Sequence, residues 1–137
     1  MASSFGAHLS SVIGRRERLG TVDYRMARMD LVNQFKAGRI AEHEVCDAHP
    51  ELRRAAEHLG RPTSQTCPIC EDAIVVHVTY AFGPHLPKSG YVIEDRADFN
   101  KVRRTTTDGT GYVIEVCHAC GWNFMAQSFP IEGRRRT

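Results

Sequence analysis

The chain has 137 residues, 42% of them apolar and 25% charged, with a formal charge of +2. That balance belongs to an ordinary globular protein of one domain or two small units. No apolar run approaches the roughly 18 residues of a membrane-crossing helix. Met1–His8 has neither a basic n-region nor an apolar core, so secretion and lipid anchoring are not expected and a reducing cytoplasm is.

Residues 1–20 carry Gly6, Gly14 and the run Arg15-Arg16-Glu17-Arg18 with little periodicity, and predict a flexible basic arm. From 21 to 61 the pattern turns helical. Val22, Met26, Met29 and Val32 fall three or four apart, widened by Leu31 and Phe35, and form one apolar helix face. Asp23 suits the first turn, and Gly38 supplies a left-handed stop. Ile40 and Val45 bracket a second, short helix with Glu44 at its third position, although Ala41 is a poor cap. Pro50 opens a third helix, whose stripe of Leu52, Ala55, Ala56 and Leu59 ends at Gly60 and Pro62. Three such helices predict a small bundle. The last two are spaced like a helix-turn-helix, but Glu51 and Glu57 beside Arg53 and Arg54 leave the exposed face nearly neutral, which argues against DNA reading.

Arg61–Gln65 reads as a hinge into a β unit over 66–130. Ile74, Val76, Val78, Tyr80 and Phe82 alternate with His77 and Thr79, the period of a strand with one buried face. Gly83–Pro87 breaks it, and Tyr91–Ile93 predicts a short strand. Residues 97–101 suit a helical turn or extended chain equally. Asp108–Gly111 reads as a turn; Tyr112, Ile114 and Val116 then alternate, and Trp122–Phe129 makes a last strand. Residues 131–137, with Arg134, Arg135 and Arg136, read as a basic tail.

Two Cys-x-x-Cys pairs, Cys67/Cys70 and Cys117/Cys120, carry the chemistry. Four thiolates on two short knuckles are the ligand set of a tetrahedral structural Zn²⁺. A thioredoxin-like dithiol needs one such pair opening a helix, not two beside strands. A four-thiolate iron site is chemically open as well. Gly121 supplies the positive-φ residue that a knuckle wants after its second cysteine; Glu71 departs from that pattern. The fold class is therefore α+β: a small N-terminal helical unit followed by an antiparallel zinc ribbon around one structural Zn²⁺.

A zinc ion with four thiolates removes two charges, bringing the total to about zero. Any attraction to phosphate must then come from local clusters such as Arg103, Arg104 and Arg134 to Arg136. A closed shell of four sulfurs leaves no coordination position for a substrate, and no triad or phosphate loop is legible. An enzyme and a small-molecule substrate are not expected. His77, His85 and His118 read as solvated side chains rather than ligands. Cys46 has no adjacent cation and reads as a buried packing residue.

The segments Gly38-Arg39-Ile40 and Val45-Cys46-Asp47-Ala48-His49-Pro50-Glu51-Leu52, followed by the two knuckles, resemble a small uncharacterised family of actinobacterial proteins. Through Cys67, Cys70, Cys117 and Cys120 the β unit is similar to the zinc ribbons of RNA polymerase subunits, transcription factors and ribosomal proteins. That resemblance implies a non-enzymatic adaptor associated with RNA polymerase or the ribosome, with the five arginines as partner contacts. The alternatives are a protein-interaction module with purely structural zinc, or a thiol redox sensor that releases it.

Overall fold

Period-two stretches in the second half of the chain pair into the sheet on which every other element is laid. The computed structural model describes residues 12–133. In chain order these form α1 (Arg15–Leu19), β1 (Val22–Asp23), α2 (Arg25–Lys36), α3 (Glu42–Val45) and α4 (Pro50–Leu59). Then follow β2 (Arg61–Thr66), β3 (Ile74–Phe82), β4 (Tyr91–Ile93), α5 (Arg96–Thr105), β5 (Asp108–Val116) and β6 (Asn123–Glu132). The strands make one antiparallel sheet in the order β1-β6-β5-β3-β2, while β4 pairs with β3 at Thr79–Ala81. β2 and β4 thus occupy successive halves of one edge of β3. Among the described residues no helix is long and apolar enough to cross a membrane.

Alternation along β3 and β5 gives the sheet two apolar faces. On one, Val78 and Val116 are buried under α4, whose Leu52, Ala55 and Ala56 stripe lies across them. On the other, Ala81, Val113, Phe129 and Ile131 pack with Phe99 and Val102 of α5 and with Ile13. A third cluster, of Val32, Val45, Ile69, Val75 and Trp122, surrounds the cysteines. Fully burying a side chain such as Phe99 or Phe129 is worth about 1.5–3 kcal/mol.

The strands at 74–82 and 91–93 fall where the alternation placed them, and Pro50 starts α4 as its first helical residue. Gly38 takes φ 78° just past α2. Several boundaries differ from the sequence reading, for identifiable reasons. Val22–Asp23 is not the first turn of a helix: it pairs with Ser128 and Gln127, and Asp23 Oδ1 accepts from Arg25 N at 2.8 Å, so this acid caps α2 from outside. The docked face of α2 is consequently rotated. Val32 is buried with Leu31 and Phe35 beside it, whereas Met26 and Met29 are exposed.

The expected hinge at 61–65 is strand β2, held by Thr63 Oγ1 donating to Val75 O at 2.8 Å. The part of the expected arm within the described residues is also ordered: Val12 and Ile13 are core, and α1 buries Glu17. The expected turn at 108–111 is the start of β5, where Gly111 lets the Phe129 ring lie against bare backbone. Ile131, placed in the expected tail, is instead a core residue of β6. One sheet runs from Val22 to Glu132, with α4 and α5 packed on its faces.

Candidate metal centre

Each Cys-x-x-Cys pair sits in a tight turn closed by its own backbone. In the first, Cys67 N donates to Ala73 O at 2.7 Å and Glu71 N to Cys67 O at 3.1 Å. In the second, Cys117 N donates to Trp122 O and Gly121 N to Cys117 O, both at 2.8 Å. The residue after each second cysteine takes positive φ: Gly121 at 92° and, against the expectation for a glutamate, Glu71 at 59°. Amides also point at sulfur, Ile69 N to Cys67 Sγ and Trp122 N to Cys120 Sγ, each at 3.4 Å. Such donors offset thiolate charge.

The sheet brings the turns together because the first immediately precedes β3, the second joins β5 to β6, and Val76 pairs with Val116. The four sulfurs lie within 4.8 Å of one another. Cys67–Cys120 and Cys70–Cys117 are each 3.7 Å apart. A tetrahedral ion with metal–sulfur bonds of about 2.3 Å requires sulfur–sulfur edges of about 3.8 Å. The four cysteines thus fit a single metal ion, with Cys67 and Cys117 buried and Cys70 and Cys120 partly exposed.

As free thiols, Cys67, Cys70 and Cys120 differ in acidity. Burial pushes Cys67 well above the ordinary thiol range and Cys120 up to about 12. Cys70 feels burial in the same direction, but amides of Asp72 and Ala73 together with the thiols of Cys117 and Cys67 outweigh it and hold it at about 7. A cation at the centre would replace those protons.

A polar network next to the second turn was missed from the sequence. Glu115 is buried, accepting from Trp122 Nε1 at 2.6 Å and from Arg28 Nη2 at 2.8 Å and Nε at 3.0 Å. The signal was available. The alternation that turns Ile114 and Val116 to one face places Glu115 beside Val113 on the other, and an acid there requires a partner. Arg28 lies 87 positions away in sequence, and only the fold supplies it.

Cys46 also departs from expectation. It is half-buried, and its Sγ lies 3.4 Å from Cys120 Sγ, not in a core remote from the metal ligands. His118 is exposed, and its carbonyl accepts from Arg53 Nη2 at 2.7 Å. Neither it nor His77 or His85 joins the sulfur cluster. Of the arginines read as partner contacts, Arg104 is exposed. Arg103 is turned inward: its Nε donates to Glu132 O at 3.2 Å and lies 3.9 Å from Glu17 Oε1. Arg134, Arg135 and Arg136 lie outside the described residues.

Beside the first turn of α4, Tyr80, Phe82, Tyr112, Ile114 and Met125 line an open groove of about 470 Å³ together with Leu52. Phe82 meets Tyr112 edge-on at 5.7 Å between ring centroids. Burial and the nearby Glu51 raise the Tyr80 phenol above its usual range, so its hydroxyl stays protonated there.

Comparison with known proteins places this arrangement in a family. Uncharacterised proteins of Mycobacterium tuberculosis and Mycobacterium bovis are 32% identical to the chain over 114 residues, 83% of the chain and 83% of each relative. No solved structure matches. A family model spans residues 15–137, covering both cysteine turns, Cys46 and the Arg28–Glu115 pair, and the chain belongs to that family, the family of unknown function DUF5318.

Proposed function

We propose that this protein is a non-enzymatic interaction module in which one Zn²⁺, held by Cys67, Cys70, Cys117 and Cys120, acts as a staple. The observation that supports the reading is the cluster of four sulfurs within 4.8 Å of one another, two of their separations at 3.7 Å, with Cys67 and Cys117 buried. Bound there, zinc supplies binding energy on the order of 10–16 kcal/mol to the folded state and leaves no ligand position open. This chain's own residues do the rest. The two turns present the thiolates, amides of Ile69 and Trp122 offset their charge, and Arg28 with Glu115 fixes the Trp122 ring beside them.

Docking then falls to surfaces away from the metal. The aromatic groove beside α4 and the exposed Met26 and Met29 of α2 support a protein partner with apolar side chains. RNA polymerase and the ribosome are the first partners to test. Arg104 and the 134–136 run would be their electrostatic contacts, while the inward engagement of Arg103 assigns it to holding α5 against β6.

Metal analysis of purified protein should return one zinc per chain. Affinity purification of tagged protein from its native cells, with and without nuclease, reads the partner. Recovery of polymerase or ribosomal proteins that survives nuclease supports direct protein docking; loss of that recovery on nuclease treatment refutes it in favour of nucleic-acid contact. Protein that neither carries nor takes up zinc would refute the staple.

A further inference from the structure

We infer that Cys46 and Cys120 are a disulfide pair that hydrogen peroxide closes, and that closing it opens the metal site. The inference rests on the zinc-staple reading and adds to it a means of release.

Cys46 stands outside the tetrahedron. It is not among the four sulfurs that lie mutually within 4.8 Å. Yet its Sγ is 3.4 Å from Cys120 Sγ, closer than the 3.7 Å that separates Cys67 from Cys120. It therefore touches one ligand from outside the shell.

The contact is built by the chain around it. Val45 is buried in the cluster that surrounds the cysteines. Ala48 N donates to Gly121 O at 3.0 Å, and Asn123 Nδ2 to Asp47 Oδ1 at 2.9 Å. Arg53 of α4 adds bonds to His118 O and Ala119 O at 2.7 and 3.1 Å. The chain just after Cys46 is thus sewn to the second knuckle, and Val45 just before it is packed into the cluster around the cysteines. Gly121 permits the approach, since a Cβ there would stand 3.1 Å from Cys46 O. The sulfurs start 3.4 Å apart, against a disulfide bond of about 2.05 Å.

Access points to the same pair. Cys46, Cys70 and Cys120 are partly exposed, whereas Cys67 and Cys117 are buried, and of the two partly exposed members of the cluster it is Cys120 that has Cys46 at 3.4 Å. A small oxidant arriving from solvent meets Cys120 with Cys46 already beside it. The Cys120 sulfur attacks one peroxide oxygen, the O–O bond breaks, and a sulfenic acid forms as the first water leaves. The Cys46 sulfur then attacks that sulfur; the S–S bond forms, the S–O bond breaks, and a second water leaves. The Cys120 thiolate and the Cys46 thiol have together lost two electrons and one proton; that proton and one from solvent complete the two waters that the peroxide has become. Three thiolates remain around the metal, and its shell is no longer closed. A dithiol reverses the step and restores the fourth ligand.

The test uses full-length, zinc-loaded protein, as wild type, Cys46→Ser and Cys46→Ala, each first checked for bound zinc and native circular dichroism. Hydrogen peroxide is added with a chromogenic zinc chelator, and disulfides are mapped by non-reducing peptide mass spectrometry. Wild type should release its zinc as a Cys46–Cys120 bond appears, and dithiothreitol with added zinc should reverse both. Whichever position-46 variant passes the initial check should keep its zinc over the interval in which wild type loses it. Equal release rates with and without Cys46, or a map dominated by Cys117–Cys120 or Cys67–Cys70, would overturn the proposal. If the protein takes up no zinc, the staple reading falls separately and the map of metal-free protein decides the pairing. A Cys46–Cys120 bond there supports the pair, and any other bond or none refutes it.

Discussion

Replacing Arg28 with methionine isolates the cost of a buried charge next to the metal turns. The Glu115 side chain is 3% exposed and that of Arg28 24%. Arg28 approaches both carboxylate oxygens, and Trp122 Nε1 supplies the remaining donor at 2.6 Å. Without the guanidinium, Glu115 is a buried carboxylate facing a single indole N–H. Breaking a buried pair from one side costs about 3–5 kcal/mol. Because Arg28 is partly wet, water can enter as it leaves, which sets the expectation at the low end, about 3 kcal/mol. That multiplies the unfolded-to-folded ratio by about 150 and lowers the melting temperature by about 10 °C. The chain has one tryptophan, Trp122, so its emission during urea titration of zinc-loaded protein reads this site directly. Arg28→Met combined with Glu115→Gln removes both charges, keeps an acceptor for the indole, and should recover at least about half the loss. An Arg28→Met protein within about 0.5 kcal/mol of wild type, or a double variant no better than the single, would refute the reasoning.

Three further outcomes follow from the same geometry. Cys117→Ser removes a fully buried thiol of the proposed zinc site and should abolish stoichiometric zinc, with loss of folded signal on heating well below wild type; full zinc with unchanged melting would contradict the assignment. Glu71→Gly should stabilise by about 0.5–1 kcal/mol, because Glu71 holds φ 59° where a side chain is strained; denaturant titration showing a loss would mean its side chain does more than occupy the turn. Thr106 is buried, and its Oγ1 meets no hydrogen-bond partner among the described residues. Thr106→Val should therefore gain about 1 kcal/mol in the same titration, and a comparable loss would point to a partner the hydroxyl meets in solution.

Local pattern was enough to determine much of this protein. The two knuckles, the alternation in 74–82 and 112–116, the proline start and apolar stripe of α4, and the glycine stop after α2 are all properties of neighbouring residues. Spacing within ten residues encodes them. The four cysteines were legible as one cluster able to hold a metal ion for the same reason, since each pair is local and only one fold-back joins them. Tertiary structure decided the remainder. Arg61–Thr66 has hinge composition but becomes a strand because β3 offers it an open edge. Glycines at 109 and 111 mimic a turn, yet they sit in β5 because Phe82 O and the Phe129 ring come close to them. Met26 and Met29 satisfy a helical stripe, but β1 claims Val22 for the sheet and Arg28 must reach Glu115, so α2 turns them outward. Cys46 met Cys120 across 74 positions through hydrogen bonds that no local periodicity announces. Periodicity reports how a segment divides its faces; which face is covered, and by what, is settled when distant segments compete for the same apolar surface and the same buried charges.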